Sequence, residues 1–274
     1  MTEPMDRSAE GLKRARVVHL AEVGSTNAEG LRFALAGETL PLWVLADRQT
    51  AGRGRAGRAW TSLPGNLNAS LVMALGCAPQ TAAQLSFVAG VAVIDAIRAL
   101  IPRDSWSRVR LKWPNDVLLD GGKAGGLLIE TTRLADWARP PGTLCAVTGI
   151  GLNLAAAPSI GDYETACLSA LAPMPGPGAF LSVLDAAISD WLAVWDNGSG
   201  FERVRAAWLE RAGPAGEAMR VHTEAGTAEG TFAGVDHDGA LLLKVPTGAI
   251  RRFSFGDVVL LTRHDQPDQR GASA

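Results

Sequence analysis

The sequence predicts an α/β protein with a small all-β domain near its C-terminal end. Three observations predict it. Glycine and proline number 31 and 15 of 274 residues, which suits a loop-rich α/β chain better than a helical bundle. Strand-length apolar runs alternate with segments of helical apolar spacing as far as Arg211. After Gly213-Pro214 the helical spacing stops. Turn signals at Glu224-Ala225-Gly226, Asp238-Gly239 and Pro246-Thr247-Gly248 then divide short alternating strands, the spacing of a small barrel.

Residues 1–15 read as a polar tail, followed by a strand at Val17–Leu20. Ser25 or Thr26 can cap a helix that runs to about Ala36. Pro41–Ala46 is an apolar run of strand length, and Leu67–Leu75 is a second, with Leu71 and Val72 favouring a strand. Between them, Asp47–Asn66 is a loop rich in glycine and arginine. Leu85, Val88, Ala92 and Leu100 recur at helical spacing, predicting one helix over 80–101 that Pro102 ends. Strands at Val109–Trp113 and Val117–Leu119 flank a Pro-Asn-Asp turn, and Gly121-Gly122 makes another tight turn. Leu127–Thr131 and Leu144–Ile150 are two further strands. Phe180, Leu184, Ile188, Trp191 and Trp195 form one stripe of a helix over 178–195, and another helix covers Glu202–Arg211. Strands fill Met219–Thr262, and 265–274 is a polar tail. The domain boundaries expected are 16–213 and 214–264.

Lys and Arg number 26 against 28 Asp and Glu, a formal charge of −2. That balance argues against a nucleic-acid binder working by blanket positive charge. With 47% hydrophobic and 20% charged residues, a disordered chain is excluded. Cys77, Cys145 and Cys167 are widely spaced and form no C-x-x-C pair, which fits a reducing cytoplasm. His19, His222, His237 and His264 lack metal-ligand spacing, so no protein-ligated zinc is expected. No uninterrupted apolar run reaches the ~18 residues of a membrane span, and Met1–Arg16 has no signal-peptide segment. Neither a nucleic acid nor a membrane is expected as a partner.

Four segments carry chemistry. From Arg48 to Trp60, Arg48, Arg53, Arg55 and Arg58 are interleaved with Gly52, Gly54 and Gly57. Residues 48–94 hold these four arginines and no acid, so the segment is +4 and the rest of the chain −6. Guanidinium groups suit carboxylate and phosphate oxygens, and glycine lets the backbone approach a ligand. The three glycines also match G-x-G-x-x-G. A loop sequence follows Gly57, and no acid occurs before Asp95, so a dinucleotide fold is rejected. The second segment is Lys112-Trp113-Pro114-Asn115-Asp116 with Lys123-Ala124-Gly125-Gly126. Asp116 could hold a metal ion or orient a lysine. Lys123 is either a hairpin-turn lysine or a point charge aimed at a ligand. Gly24-Ser25-Thr26-Asn27 serves a helix N-terminus or binds a neutral polar group. Gly149-Ile150-Gly151-Leu152-Asn153 is a strand leaving through glycine, tightly packed or touching a ligand.

In this order and spacing, Ser25-Thr26-Asn27, Gly52-Arg53-Gly54-Arg55, Lys112 to Asp116 and Gly149 to Asn153 resemble the biotin protein ligases, over about residues 17–262. The resemblance implies a mixed sheet flanked by helices, with a C-terminal SH3-like β-barrel. It implies adenylation of biotin by ATP to biotinyl-5'-AMP, then transfer to a lysine of a biotin carboxyl carrier domain. Biotin and ATP with Mg are then substrates and ion, and no tightly bound prosthetic group is expected. By resemblance, Ser25, Thr26, Asn27, Gln49, Gly52, Gly54, Gly125 and Gly126 bind biotin, with Arg53, Arg55 and Lys123 both binding and catalytic. Arg55, Arg58, Trp60, Lys112, Asn115, Asp116 and Asn153 fall on the ATP side, with Mg on the phosphates, near Asp116 and in no dedicated protein cage. The 48–60 loop is expected to be mobile when empty and to close over biotinyl-AMP.

This sequence departs from the family at Gly24, where Asp is usual, and at Ala56, where Arg is common. Only 24 residues precede Ser25, fewer than the ~40 an independent domain needs, so no DNA-binding repressor domain is expected. The resemblance leaves a homodimer open. A lipoate protein ligase and a non-catalytic biotin or nucleotide sensor are the rival readings.

Overall fold

The structure is a computed structural model and describes residues 15–134, 143–160 and 164–261. His264 and the predicted tails, Ala15 apart, lie outside these residues. The chain runs β1 (Arg16–Val23), α1 (Thr26–Leu35), β2 (Leu42–Gln49), β3 (Leu67–Leu75), α2 (Pro79–Ala82) and α3 (Leu85–Arg98). It continues β4 (Val109–Lys112), β5 (Asp116–Leu119), β6 (Gly122–Arg133), β7 (Leu144–Leu152), α4 (Pro177–Trp195) and α5 (Phe201–Arg211). The C-terminal strands are β8 (Ala218–Thr223), β9 (Gly226–Val235), β10 (Leu241–Lys244), β11 (Ile250–Phe253) and β12 (Asp257–Leu260).

Seven strands form one mixed sheet in the order β1-β2-β3-β7-β6-β5-β4. β1 and β2 are parallel and every other pair is antiparallel. Leu42–Ala46 is buried throughout because both faces of the sheet are covered. Leu42, Val44, Val72 and Val147 face α1, where Gly30 lets the helix approach (a Cβ there would lie 2.7 Å from Val72). Trp43, Leu45, Leu71 and Met73 face the opposite way, into the core containing α3 and α4. The Trp43 indole N–H reaches Asp185 of α4 at 2.8 Å, so its burial leaves no unsatisfied donor.

The single helix predicted over 80–101 is two. At Gln84 to Phe87 the backbone tightens to i→i−3 bonds: Gln84 N–H to Thr81 O, Ser86 to Ala83 and Phe87 to Gln84. Gln84 also accepts the Trp195 indole N–H at 2.8 Å. β6 begins at Gly122, five residues before its predicted start, and so takes in Lys123. Pro79–Arg98 and Pro177–Gly198 are long and apolar enough to cross a membrane by length and composition alone. The first is 67% buried, as the core helix of the sheet, and α4 packs against it.

The C-terminal strands form a five-stranded antiparallel sheet in the order β11-β10-β9-β8-β12. The predicted boundary at 213/214 does not divide the core. One hydrophobic cluster runs from Trp43 and Leu85 into Met219, Val221, Phe232 and Leu241. Phe87 meets Phe201 edge-on, with ring centroids 5.4 Å apart. The Trp113 indole donates to Gly239 O at 3.0 Å, and Arg110 pairs with Glu217 at 2.7 Å.

Candidate active site

A cavity of about 390 Å³ opens on the α1 face of the large sheet. Its floor consists of two rows of residues crossing three strands. Ser70 of β3 lies opposite Gly149 of β7, which lies opposite Leu128 of β6. Asn68 lies opposite Gly151, which lies opposite Gly126. Residues two apart on a strand share a face, so both rows lie on the cavity side, where Gly126, Leu128, Gly149 and Gly151 line it and Ser70 and Asn68 lie buried behind Thr26, Asn27 and Trp60. The missing side chains at 149 and 151 are replaced from outside the sheet. A Cβ at Gly149 would lie 2.3 Å from Asn27 Oδ1, and one at Gly151 would lie 2.5 Å from the Trp60 ring. These glycines are both tightly packed and part of the cavity lining.

One end of the cavity is neutral and polar. The backbone N–H and hydroxyl of Thr26 lie 2.8 and 3.1 Å from Gln49 Oε1. The Ser70 hydroxyl lies 2.7 Å from Thr26 Oγ1 and 2.6 Å from Asn27 Oδ1. It has one hydrogen, so it donates to one of them and accepts from Thr26 when it donates to Asn27. Asn27 Nδ2 donates to Leu128 O and to Glu130 Oε2, at 3.3 and 2.7 Å. Both ends of the Asn27 amide are thus engaged by protein groups. Ser25 takes the N-cap position of α1, yet its hydroxyl makes no capping bond; its carbonyl accepts the Glu29 N–H at 3.0 Å.

The other end is cationic. Lys123 Nζ lies 2.6 Å from Asp116 Oδ1, while Lys112 Nζ lies 2.8 Å from Asp116 Oδ2. Asp116 is 7% exposed. Burial alone pushes its carboxyl up, but the two lysines outweigh this and hold it below the usual carboxylate range. Both Asp116 oxygens thus face lysines. Lys123 lies on the β6 edge of the site with its stem over Gly126, 3.4 Å from a Cβ placed there. Asn153 lines the cavity and donates to Lys123 O and Ala166 O, at 3.3 and 3.0 Å. Asn115, also on the wall, donates to Leu127 O at 2.6 Å.

The arginine loop folds back on itself. Arg53 bridges to Ala59, Gly54 N–H donates to Arg58 O, and Trp60 N–H to Gly52 O. A 3-10 turn at Arg55–Gly57 forms its tip, with Ala56 and Gly57 at φ 52 and 71°. Glycine is at home there, whereas Ala56 carries a strain of about 1–2 kcal/mol. No helix follows Gly57 before Asn66, in keeping with rejection of a dinucleotide fold.

The +4 charge of this segment is offset by remote acids. Arg58 pairs with Asp257 at 2.7 Å, Arg53 with Glu130 at 3.5 Å and Arg48 with Glu22 at 2.7 Å. Arg55 donates to Gly256 O at 3.2 Å and lies 4.0 Å from Asp257. Its burial pulls the guanidinium pKa down, against the pull of Asp257.

Three residues of the predicted site stand apart from the cavity wall. A Cβ at Gly52 would meet Trp60 O at 2.8 Å, and one at Gly125 would meet Leu152 at 2.4 Å, so both serve close packing. Lys112 is turned to Asp116 and to Val258 O, the latter at 3.0 Å. Four contributors were absent from the predicted set: Ser70, Asn68, Glu130 and Asp257. The signal for the first two is there, since Asn68 and Ser70 are polar interruptions two apart in an apolar strand. Trp60 Nε1 donates to Asn68 Oδ1 at 3.2 Å.

Residues 25–139 match the Biotin/lipoate A/B protein ligase family, and residues 215–261 match the Biotin protein ligase C terminal domain. Over 235 residues the chain is 40% identical to a biotin--[acetyl-CoA-carboxylase] ligase of Paracoccus denitrificans, covering 84% of this chain and 94% of that protein. It is 34% identical over 250 residues to the enzyme of that name from Mycobacterium tuberculosis, covering 88% of each. Among solved structures it resembles the Aquifex aeolicus biotin protein ligase in complex with biotin and ATP. That likeness has a TM-score of 0.71 and 25% identity, over 90% of this chain and 98% of that one. A similarity that spans both sheets, and a cavity built from the four motif segments, lead to one conclusion: the chain belongs to the biotin protein ligase family.

Proposed function

We propose that this chain attaches biotin to one lysine of a biotin carboxyl carrier domain in two half-reactions. A biotin carboxylate oxygen attacks the α-phosphorus of ATP, the bond to pyrophosphate breaks, and biotinyl-AMP forms. The carrier ε-amine then attacks the acyl carbon, loses a proton, and AMP leaves. The observation that carries this reading is the polarity of the cavity. A neutral hydrogen-bonding end faces a cationic end where Lys123 is held against a buried Asp116.

The roles follow from that polarity. Ser25, Thr26 and Gln49 receive the ureido ring of biotin, and Asn27 braces the floor beneath it. Arg53, Gly54 and Arg55 stand over the carboxylate. Lys123 stabilises the charge that builds on the carboxylate and α-phosphate oxygens, which otherwise repel each other. Trp60, Arg58 and Asn115 serve the nucleotide. Asp116, held ionised by its lysines, is a weak base and acts by aiming Lys123.

A magnesium ion accompanying ATP sits on the phosphates in this reading. The described residues hold no cluster of three or more His, Cys, Asp or Glu. Both Asp116 oxygens face lysines, so Asp116 does not fit as a magnesium ligand. We read the C-terminal sheet as an SH3-like domain and the enzyme as cytoplasmic, in line with the wide spacing of its three cysteines, which form no C-x-x-C pair.

Lipoate offers a dithiolane with no N–H or carbonyl, so it would leave the Thr26–Gln49 end unmatched; this favours biotin. The test is mass spectrometry of a carrier domain after incubation with enzyme, MgATP and either acid. A biotinyl adduct on one lysine is expected. A lipoyl adduct, or AMP-free binding of biotin, would overturn the reading.

A further inference from the structure

Lys112 lies outside the cavity, although its motif places it beside the site. It ends β4 and pairs across the hairpin with Asp116, the first residue of β5. Its ammonium is nearly enclosed and contacts Asp116 Oδ2 at 2.8 Å and Val258 O of β12 at 3.0 Å. Asp116 divides its oxygens, one to each lysine. The three groups together carry a net charge of +1. Without Lys112, Asp116 and Lys123 would form a pair of net charge zero, at the end of the cavity where two anions must meet. In a site this poorly solvated, that difference is weakly screened.

We propose that Lys112 is a positioning residue that balances Asp116, so that Asp116 can hold Lys123 in place without cancelling its charge. This rests on the adenylation reading above. Lys112 never touches the substrates. It acts through Asp116, and its contact with Val258 joins this charge relay to the C-terminal sheet.

The experiment measures biotin-dependent exchange of pyrophosphate into ATP for the full chain. Wild-type exchange reports on the adenylation reading itself, and the ratios between variants report on Lys112. Lys112→Met is expected to lower kcat about ten- to a hundredfold. Its KM for biotin should stay within about threefold, since the Thr26–Gln49 end is untouched. The double variant Lys112→Met/Asp116→Asn removes both balancing charges and leaves Lys123 charged. It should exchange pyrophosphate about threefold or more faster than Lys112→Met, short of the wild-type rate because Asn holds Lys123 less firmly than a carboxylate does. A mere strut between the two sheets predicts otherwise, because the Val258 contact is lost in both variants. Wild-type kcat in Lys112→Met, or a double variant as slow as the single, would overturn the proposal. Melting temperatures of both variants, taken alongside, identify any loss due to unfolding; the double variant leaves no unpaired buried carboxylate and decides the matter if the single fails to fold.

Discussion

Lys123 can be removed without orphaning its partner, because Asp116 keeps Lys112 at 2.8 Å. Lys123→Ala is therefore a clean test of transition-state stabilisation. Pyrophosphate exchange should fall by ~10² or more, as when an oxyanion donor is lost. Exchange at the wild-type rate would refute the role. At this scale the sequence is partly legible. Lys123 and Asp116 stand out because glycines and a proline isolate them, and that isolation is what a ligand-facing charge needs. Their mutual contact is not legible, since six residues and a strand reversal intervene. Glu130 is harder still. It lies in a strand, 77 residues from the Arg53 it faces and 103 from Asn27, and only the sheet brings these together.

The arginine loop is the element whose behaviour depends on the rest of the chain. Its own bonds, from Gly54 to Arg58 and from Trp60 to Gly52, close a small hairpin, but its tip leans on Asp257. The Arg58–Asp257 pair is exposed, 58% and 41%, so it contributes no more than about 1 kcal/mol. Asp257→Asn should accelerate tryptic cleavage after Arg58 by at most about fivefold. Unchanged cleavage would show that the loop's own bonds suffice. Element boundaries were legible where polarity changes abruptly, as at Leu67–Leu75. They were illegible where glycine carries two meanings. Gly121 and Gly122 read as a turn, yet only Gly121 has a left-handed φ, at 92°, while Gly122 already belongs to β6. The break between α2 and α3 has no proline or glycine to mark it; it is a change of hydrogen-bond register that Trp195 steadies from another helix.

For the whole molecule, the two sheets share one hydrophobic cluster, and Trp113 and Arg110 reach across the 213/214 boundary to Gly239 and Glu217. Calorimetry should therefore show one cooperative transition, with calorimetric and van't Hoff enthalpies equal. Two resolved transitions would contradict the shared core. The composition shift at Gly213-Pro214 is real in the sequence. It marks a change of secondary structure and not a division of the core, because burial depends on contacts that no local window contains. The leaning of the arginine loop on β12 also bears on how the protein is made. Arg55 and Arg58 find their partners 201 and 199 residues further along the chain. At ~5–20 residues per second, a ribosome delivers that strand roughly 10–40 s after the loop. During that interval the loop tip has neither of these partners. The nascent chain thus gains its settled cationic end only once β12 has been made, so a product cut short before β12 lacks the contacts that Gly256, Asp257 and Val258 give to Arg55, Arg58 and Lys112.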